Sequence, residues 1–406
     1  MNVIKNGTIT DVKGFKAAGI TAGLKKSGKK DLALIYSEYK AVSAAVFTKN
    51  LVKAAPILVD MENIKSENTQ AIIVNSGNAN ACTGEDGYKN AKKMTEIIAE
   101  KLNLHPTEVL VESTGIIGVQ MDMEKVASGL EKIVPELSEE GGHNAGEAIM
   151  TTDTCPKNLA VKIEIGGKEV TIAGIAKGSG MIHPDMATML AFLVTDISID
   201  KKLLQKVFSK STDDSYNMVS VDGDTSTNDM AGILANGAAG NTKITDENSE
   251  EFKIFKEALN FVNKELAKSI AKDGEGATKL IEVTTKNART MEDAKKVSKS
   301  VITSSLFKAA VFGSDANWGR ILCAVGYSGA ELIVDKIEIF IKGENKIIQV
   351  AKNGMGIDFG EEEVEKILKE EKVGVIVNLN DGNYDATAWG CDLTYDYVKI
   401  NADYRT

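Results

Sequence analysis

The chain has 406 residues, of which 43% are hydrophobic and 26% charged, and its formal charge is −10 at pH 7. This composition suits a globular enzyme or binding protein with a large core and does not indicate disorder. The lysines are scattered among glutamates along helical segments, so nucleic acid is not an expected partner. No apolar run approaches the roughly 18 residues that a membrane span requires, and the N-terminus has no apolar signal segment. A cytoplasmic protein is expected, with two or three domains or one large domain and an appendage.

In chain order, the first candidate motif is Gly23-Leu24-Lys25-Lys26-Ser27-Gly28-Lys29. It matches most of a Walker A loop, but Lys30 stands where the Mg²⁺-binding hydroxyl belongs and no buried strand is read before it, which leaves a solvated basic hairpin turn. Ala71 to Val74, Met189 to Val194 and Val375 to Leu379 read as strands buried on both faces. Tyr88 to Leu102 carries Ala91, Met94, Ile97, Ile98 and Leu102 at helical spacing, and Phe252 to Ile270 does the same with Phe255, Leu259, Val262 and Leu266. Asp273-Gly274 is expected to stop the second helix through a left-handed glycine, leaving Glu275 just past its end.

Between Leu159 and Ala173, alternating apolar residues flank Gly166-Gly167, which predicts a hairpin with a two-residue turn. A second hairpin is expected around Gly343-Glu344-Asn345. Helices and strands mix in an order that does not repeat as simple βα units, so a layered α/β or α+β sandwich fits better than a barrel or a doubly wound sheet. Cys82, Cys155, Cys323 and Cys391 form no CxxC pair, which disfavours a zinc clip or a disulfide framework and leaves buried apolar residues as the simplest reading.

The glycines gather in polar loops, Asn75 to Asn80, Ser113 to Gly115, Asp222 to Asp224 and Gly313 to Arg320, which together can line one site. Asp222-Gly223-Asp224 resembles the start of an EF-hand loop, but Thr227 occupies the position of the required glycine, so an Asx-rich turn is the expected structure. Gly178-Ser179-Gly180 is half of a dinucleotide fingerprint, with His183 where the third glycine belongs. Only His105, His143 and His183 are available as imidazole bases.

Lys177 to Thr188 is a Gly-rich loop that delivers Met186-Ala187-Thr188 to the start of the apolar run Met189 to Val194. A threonine hydroxyl is a poor nucleophile unless a base stands beside it. A chain that cuts itself before the threonine supplies that base as a free α-amine, and no histidine is then needed. Taken alone, an Ala-Thr pair before a strand is usually just structure.

Asn75 to Gly84, Ser113 to Gly118, Thr151 to Thr154, Lys177 to Leu190, Asp273 to Lys279, Gly313 to Arg320 and the terminal Asn401-Ala402-Asp403-Tyr404-Arg405-Thr406 together resemble the ornithine acetyltransferase family. It is also called the glutamate N-acetyltransferase or arginine-biosynthesis bifunctional family. The resemblance runs in order over essentially the whole chain. It implies self-cleavage between Ala187 and Thr188, giving an α chain of residues 1–187 and a β chain of 188–406, with a smaller α/β part within roughly 285–390. The implied fold is an α/β/β/α sandwich akin to the self-processing aminopeptidases.

The implied activity moves an acetyl group from N²-acetylornithine to glutamate through an acetyl-threonine at Thr188. Thr114 and Gly115 match the family's oxyanion pair, and Thr151, Lys177, Thr188, Glu275, Asn401 and Thr406 its substrate site. Lys177 can pair with a substrate carboxylate or lower the amine pKa of Thr188, and Glu275 can bind an amino group or relay protons. No metal or organic cofactor is implied, and the α and β chains are expected to associate as a heterotetramer of two of each. Some family members also accept acetyl-CoA whereas others only recycle, and no residue of this sequence decides between them. Two rivals stand beside this reading: a self-processing amidase or aminopeptidase on the same scaffold, and a non-catalytic or phosphate-handling protein built around Asp222 and Asp224.

Overall fold

The computed structural model describes residues 1–183 and 189–403. The first part of the chain runs β1 (Asn2–Val3), β2 (Phe15–Ile20), β3 (Leu32–Ser37), β4 (Val42–Phe47), α1 (Ala55–Asn63), β5 (Ala71–Asn78), α2 (Gly84–Leu102), β6 (Val109–Ile116), α3 (Met123–Ile133), α4 (Gly142–Ala148), β7 (Lys157–Ile165) and β8 (Lys168–Lys177). It continues with β9 (Leu190–Thr195), α5 (Lys201–Asp213), β10 (Val219–Ser220), β11 (Met230–Ala235), α6 (Glu250–Lys272), β12 (Leu280–Ala288), α7 (Met291–Thr303), α8 (Ser305–Phe312) and α9 (Trp318–Gly326). The last elements are β13 (Glu338–Lys342), β14 (Ile347–Lys352), β15 (Met355–Gly356), α10 (Glu361–Leu368), β16 (Lys372–Asn378), β17 (Tyr384–Cys391) and α11 (Tyr395–Asp403).

Two sheets make the centre. A four-stranded sheet has the order β2-β3-β5-β6, and a six-stranded sheet has the order β1-β7-β8-β9-β11-β4. Side chains alternate between the faces of a strand, so Ala33, Ile35, Ile72, Val74 and Leu110 pack inward against Ile175, Phe192 and Val194 of the larger sheet. Their neighbours Leu34, Ile73 and Val111 point the other way, onto Met94 and Ile98 of α2 and Leu130 of α3. The far face of the larger sheet, with Val161, Ile172, Leu193 and Ile233, is covered by Leu204 and Phe208 of α5 and Phe255, Leu259 and Val262 of α6. The result is the four-layer α/β/β/α sandwich. A third sheet, in the order β10-β17-β12-β16-β13-β14-β15, joins the α6 side of the sandwich, and Ile281, Val283 and Val375 share its core with α7. Among the described residues no helix is long and apolar enough to cross a membrane.

Local chemistry explains the elements. Gly166 and Gly167 both have positive φ, 57° and 73°, so the β7–β8 turn takes the mirror-image geometry that matches strand twist. The second hairpin forms between β13 and β14, with Lys342 opposite Ile347. Ser249 caps α6 by accepting from the Phe252 N–H, and Phe255 on its apolar face is fully buried. Burial of that ring stabilises the fold by roughly 1.5–3 kcal/mol.

Three expectations need correction. Helix α6 does end at Asp273, but with φ −94° at that cap, and the left-handed glycine is Gly276, two residues after Gly274. Gly274 is required for a different reason: a Cβ there would lie 2.7 Å from Cys391 Sγ. Only Cys391 is buried; Cys82, Cys155 and Cys323 are exposed. The Gly23–Lys29 turn is indeed a hairpin loop, yet the strand before it, β2, is largely buried. Because β2 and β3 are antiparallel, no helix follows the loop to make a nucleotide site.

Candidate active site

Strands β5 and β6 run parallel, and the polar residues Asn75 to Asn78 extend β5 instead of forming a loop. The register slips at Asn78, and Gly77 and Gly115 face each other there with φ of 105° and 132°. A Cβ on Gly115 would lie 2.5 Å from the Gly77 carbonyl carbon, so the approach of the two strands permits only glycine. Ser113 Oγ donates to Asn75 Oδ1 at 2.6 Å. From the far side, Asn228 Nδ2 donates to the Ala79 and Ser113 carbonyls at 2.6 and 2.8 Å. Thr114 and Gly115 are thus held rigidly at the strand end, on the wall of a cavity of about 170 Å³.

Lys177, the last residue of β8, forms the next wall. Its Nζ donates to Thr114 Oγ1 at 3.4 Å. An ammonium has no acceptor, so Thr114 must be the acceptor here, and its own O–H is left to point at something else. Behind Lys177, Lys157 Nζ bridges Asp153 Oδ1 at 2.7 Å and Asp273 Oδ2 at 2.5 Å. Asp153 also accepts from the N–H of Gly178 at 2.7 Å and of Thr151 at 3.0 Å, which ties Thr151 and the start of the Gly-rich loop to one carboxylate. Burial opposes the charge on Asp153, but Lys177 and Lys157 hold its carboxyl down at about 2. Burial pushes the Lys177 ammonium below its ordinary range, against the pull of Asp153, and Lys157 lowers it further.

The third wall comes from the loop after α6 and from α11. The Glu275 N–H donates to the Ser179 carbonyl at 3.0 Å, and Ser179 Oγ donates to the Asp273 carbonyl at 2.6 Å. The Glu275 carboxylate lies flat on Gly180, where a Cβ would sit 2.3 Å from it. Asn401 Nδ2 donates to Glu275 Oε2 at 2.8 Å. Asp222 accepts from the N–H groups of Met181 and Ile182 at 2.6 and 2.8 Å, and the Ile182 carbonyl accepts from Val221 N–H at 2.6 Å. Burial raises the Asp222 carboxyl, which these N–H groups oppose. The Gly-rich loop is therefore clamped up to His183, whose carbonyl accepts from Thr225 Oγ1 at 2.9 Å.

Of the residues singled out from sequence, Thr114, Gly115, Thr151, Lys177, Glu275 and Asn401 all line this one cavity. Ala187, Thr188 and Thr406 lie outside the described residues; Met189, bonded to Thr188, lines the cavity. Three of the four glycine-bearing polar loops contribute to the lining, through Ala79, Thr114 and Asp222 among others. The fourth does not. Within Gly313 to Arg320, Ser314 Oγ accepts from Lys279 Nζ at 3.1 Å, Arg320 donates to the Leu306 carbonyl at 2.7 Å, and the Trp318 ring packs on Gly356. That loop ties α8, α9 and the third sheet together. Asp222 does form a turn, accepting from Asp224 N–H at 3.3 Å, but it also clamps the Gly-rich loop, which its sequence context did not reveal.

Sequence reasoning missed Asn228, Asp229 and Tyr397, which also line the cavity. Tyr397 OH donates to Asp222 Oδ2 at 3.3 Å, and its position one helical turn before Asn401 was the available signal. Among the described residues no group of three or more His, Cys, Asp or Glu side chains is placed to hold a metal ion.

Known proteins share this sequence over nearly its whole length. The model of the ArgJ family matches residues 16–406. The arginine biosynthesis bifunctional protein ArgJ 1 of Clostridium acetobutylicum is 55% identical over 406 residues, covering 100% of this chain and 99% of that protein. The arginine biosynthesis bifunctional protein ArgJ of Bacillus subtilis is 46% identical over 98% of this chain and 97% of its own length. The crystal structure of arginine biosynthesis bifunctional protein ArgJ from Bacillus halodurans aligns at 46% identity with a TM-score of 0.50, covering 53% of this chain and 100% of that chain. With a matching family model over nearly its whole length and relatives at this identity, the chain belongs to the ArgJ family.

Proposed function

We propose that this protein is a self-processing acetyltransferase that carries an acetyl group from N²-acetylornithine to glutamate on the hydroxyl of Thr188. The observation that carries the reading is the meeting of Thr114, Gly115, Thr151, Lys177, Glu275 and Asn401 around one cavity whose lining also includes Met189, the residue bonded to Thr188. Names borne by relatives over the full length point to the same pathway.

In this mechanism the Thr188 hydroxyl first attacks the Ala187 carbonyl, the peptide bond shifts to an ester, and hydrolysis frees Thr188 with its own α-amine. That amine then serves as the base for the hydroxyl. Attack on the acetyl carbonyl of N²-acetylornithine forms a tetrahedral oxyanion, and the ornithine amine leaves with a proton. The Thr114 hydroxyl and the Gly115 N–H are the donors assigned to that oxyanion. The Lys177 ammonium, buried and in contact with Thr114, adds positive potential where negative charge develops. Glutamate then enters, its amine attacks the acetyl ester, and N-acetylglutamate departs as Thr188 regains its proton. Glu275, held by Asn401, is placed to receive the amino group of either substrate.

N-terminal sequencing of purified protein should yield a chain beginning Thr-Met-Leu-Ala-Phe, and Thr188→Ala should stay uncut and inactive. Incubation with N²-acetylornithine alone should add one acetyl mass to the β chain and release ornithine, and glutamate should remove that mass. Loss of the acetyl mass at equal rate without glutamate would show a hydrolase instead. Active protein bearing only Met1 as N-terminus would overturn the self-processing step.

A further inference from the structure

The face of each strand that points between the two central sheets can be followed to the cavity. On β8, Ile175 packs in the inter-sheet core, and Lys177, two residues on, shares its face. On β9, Leu190 begins the inward row that Phe192 and Val194 continue. On β6, Leu110 lies in the same core, and Thr114, four residues on, returns to that face. Lys177 and Leu190 are direct partners across the β8–β9 ladder, and Lys177 Nζ meets Thr114 Oγ1 at 3.4 Å. The cavity is therefore the polar end of an apolar layer, and Leu190 stands at the border between the two.

Ala79 completes that border from the side of the oxyanion pair. It belongs to the same core, with half-buried Ile117 packed on it. Its N–H donates to the Ile116 carbonyl at 2.9 Å, and the amide of Asn228 that holds the Ser113 carbonyl also holds the carbonyl of Ala79. Ala79 is thereby fixed beside Thr114 and Gly115. Behind Leu190 stand Phe192 and Met230, both fully buried, and Met230 is the partner of Leu190 across the β9–β11 ladder. Met189 and Ile182 line the cavity too, but they belong to the core on the other side of the larger sheet. There a Cβ on Gly178 would lie 2.9 Å from Ile182 Cδ1 and 3.4 Å from Met189 Cβ.

The cavity, about 170 Å³, is smaller than the ~300–1,000 Å³ typical of pockets for larger ligands. An acyl group held in it brings one polar atom and one apolar end. Thr114 and Gly115 are assigned to the oxygen, so the methyl is left with the apolar border, where leaving water is favourable. A longer chain would have to push into a close-packed core, and overpacking such a core is costly. We propose that Ala79 and Leu190 form the floor that receives the methyl of the acyl group and limit the transferred chain to two carbons. Acetyl donors are thereby separated from propionyl and longer ones at the border of the inter-sheet core. This assignment rests on the acetyl-transfer reading above and names the residues that set its acyl class.

The test uses the full-length cleaved protein, as wild type and as the variants Ala79→Gly and Leu190→Ala. The donors are N²-acetyl-, N²-propionyl- and N²-butyrylornithine, with glutamate as acceptor. The readout is the ratio of kcat/KM between donors, in which any loss of folded enzyme cancels. One methylene in an apolar pocket is worth about 10–200-fold, so the wild type should favour acetyl over propionyl by at least about tenfold. Each variant should raise the propionyl-to-acetyl ratio by about tenfold, and Leu190→Ala, which removes the larger side chain, should also admit butyryl. A wild type that transfers propionyl as readily as acetyl would overturn the proposal without any variant. So would variants in which acetyl and propionyl transfer fall in the same proportion, which would leave the two residues a structural role only. Absence of acetyl exchange between ornithine and glutamate in the wild type would instead refute the underlying acetyl-transfer reading.

Discussion

Two clusters of buried charge flank the cavity, and they are built on opposite principles. On one side Lys157 sits between Asp153 and Asp273, with Lys177 close by, so acids and bases alternate and every carboxylate has a cation. On the other, Asp60 of α1 and Glu112 of β6 are both fully buried, with no cation beside them among the described residues. Asp60 Oδ1 accepts from Val111 N–H at 2.8 Å and Glu112 Oε2 from Ser113 N–H at 3.1 Å, while their second oxygens find no partner among the described residues. Burial pushes both carboxyls well above their ordinary range, and Asp60 raises Glu112 further. The first cluster keeps its charges and supplies a fixed field to Lys177 and Thr114. In the second, burial disfavours the charged form of both carboxyls, and their bonds to Val111 and Ser113 N–H anchor the strand that carries Thr114.

Breaking the compensated cluster should have the largest effect. Lys157→Met leaves buried Asp273 without its cation and Asp153 with Lys177 alone, which should cost about 3–5 kcal/mol and appear as a large fall in melting temperature. A variant that melts with the wild type would show that the cluster stores no such energy. Thr114→Val removes the hydroxyl that this cluster polarises, and kcat should fall on the order of 10²-fold with little change in KM. A change confined to KM would reassign Thr114 to substrate binding.

The uncompensated cluster is tested by pH. Asp60 and Glu112 have native pKa values above their unfolded ones, so the stability they contribute is complete below the unfolded values, about 4, and is lost as pH rises through the native values. Asp153, at about 2, behaves oppositely: its contribution is present above the unfolded value and is lost as pH falls toward 2. Glu112→Gln should therefore flatten the alkaline side of a plot of melting temperature against pH and leave the acid side unchanged. A variant that follows the wild type on both sides would mean that Glu112 carries no extra proton. Asn401→Ala should have the smallest effect, a several-fold rise in KM for the amino-acid substrates as Glu275 loses its 2.8 Å partner. A fall in kcat alone would place Glu275 in proton transfer.

What the sequence made legible follows the range of the interactions involved. The β7–β8 hairpin and helix α6 rest on periodicity and on residues a few positions apart, and both form where read, although α6 ends without the left-handed Gly274 that was expected. Thr114, Lys177 and Glu275 stood out only as parts of longer motifs, since nothing in a lone Thr, Lys or Glu distinguishes a cavity from a surface. Asn228 was invisible because its work is done 115 residues away on Ser113 and 149 residues away on Ala79. Gly313 to Arg320 misled for the complementary reason. Its small polar residues look like a site lining, while its attachments through Lys279 and Gly356 direct it into the packing of the third sheet.

The order of the six-stranded sheet has a further consequence for the proposed cut before Thr188. Strands β9 and β11 lie between β8 and β4, which belong to the other side of the cut. The two pieces would be knitted through one sheet, with β8 on β9 from Lys177–Leu190 to Ile172–Thr195, and β4 on β11 from Val42–Ala235 to Phe47–Met230. Severing the tether would leave these ladders intact, so the cut protein would keep its shape. Once melted, however, it would have to reassemble from two separate chains, at a rate that depends on concentration. Its durability would then be set by how slowly the sheet opens and not by an equilibrium with the unfolded state. The intact Thr188→Ala precursor, by contrast, would keep a unimolecular route back.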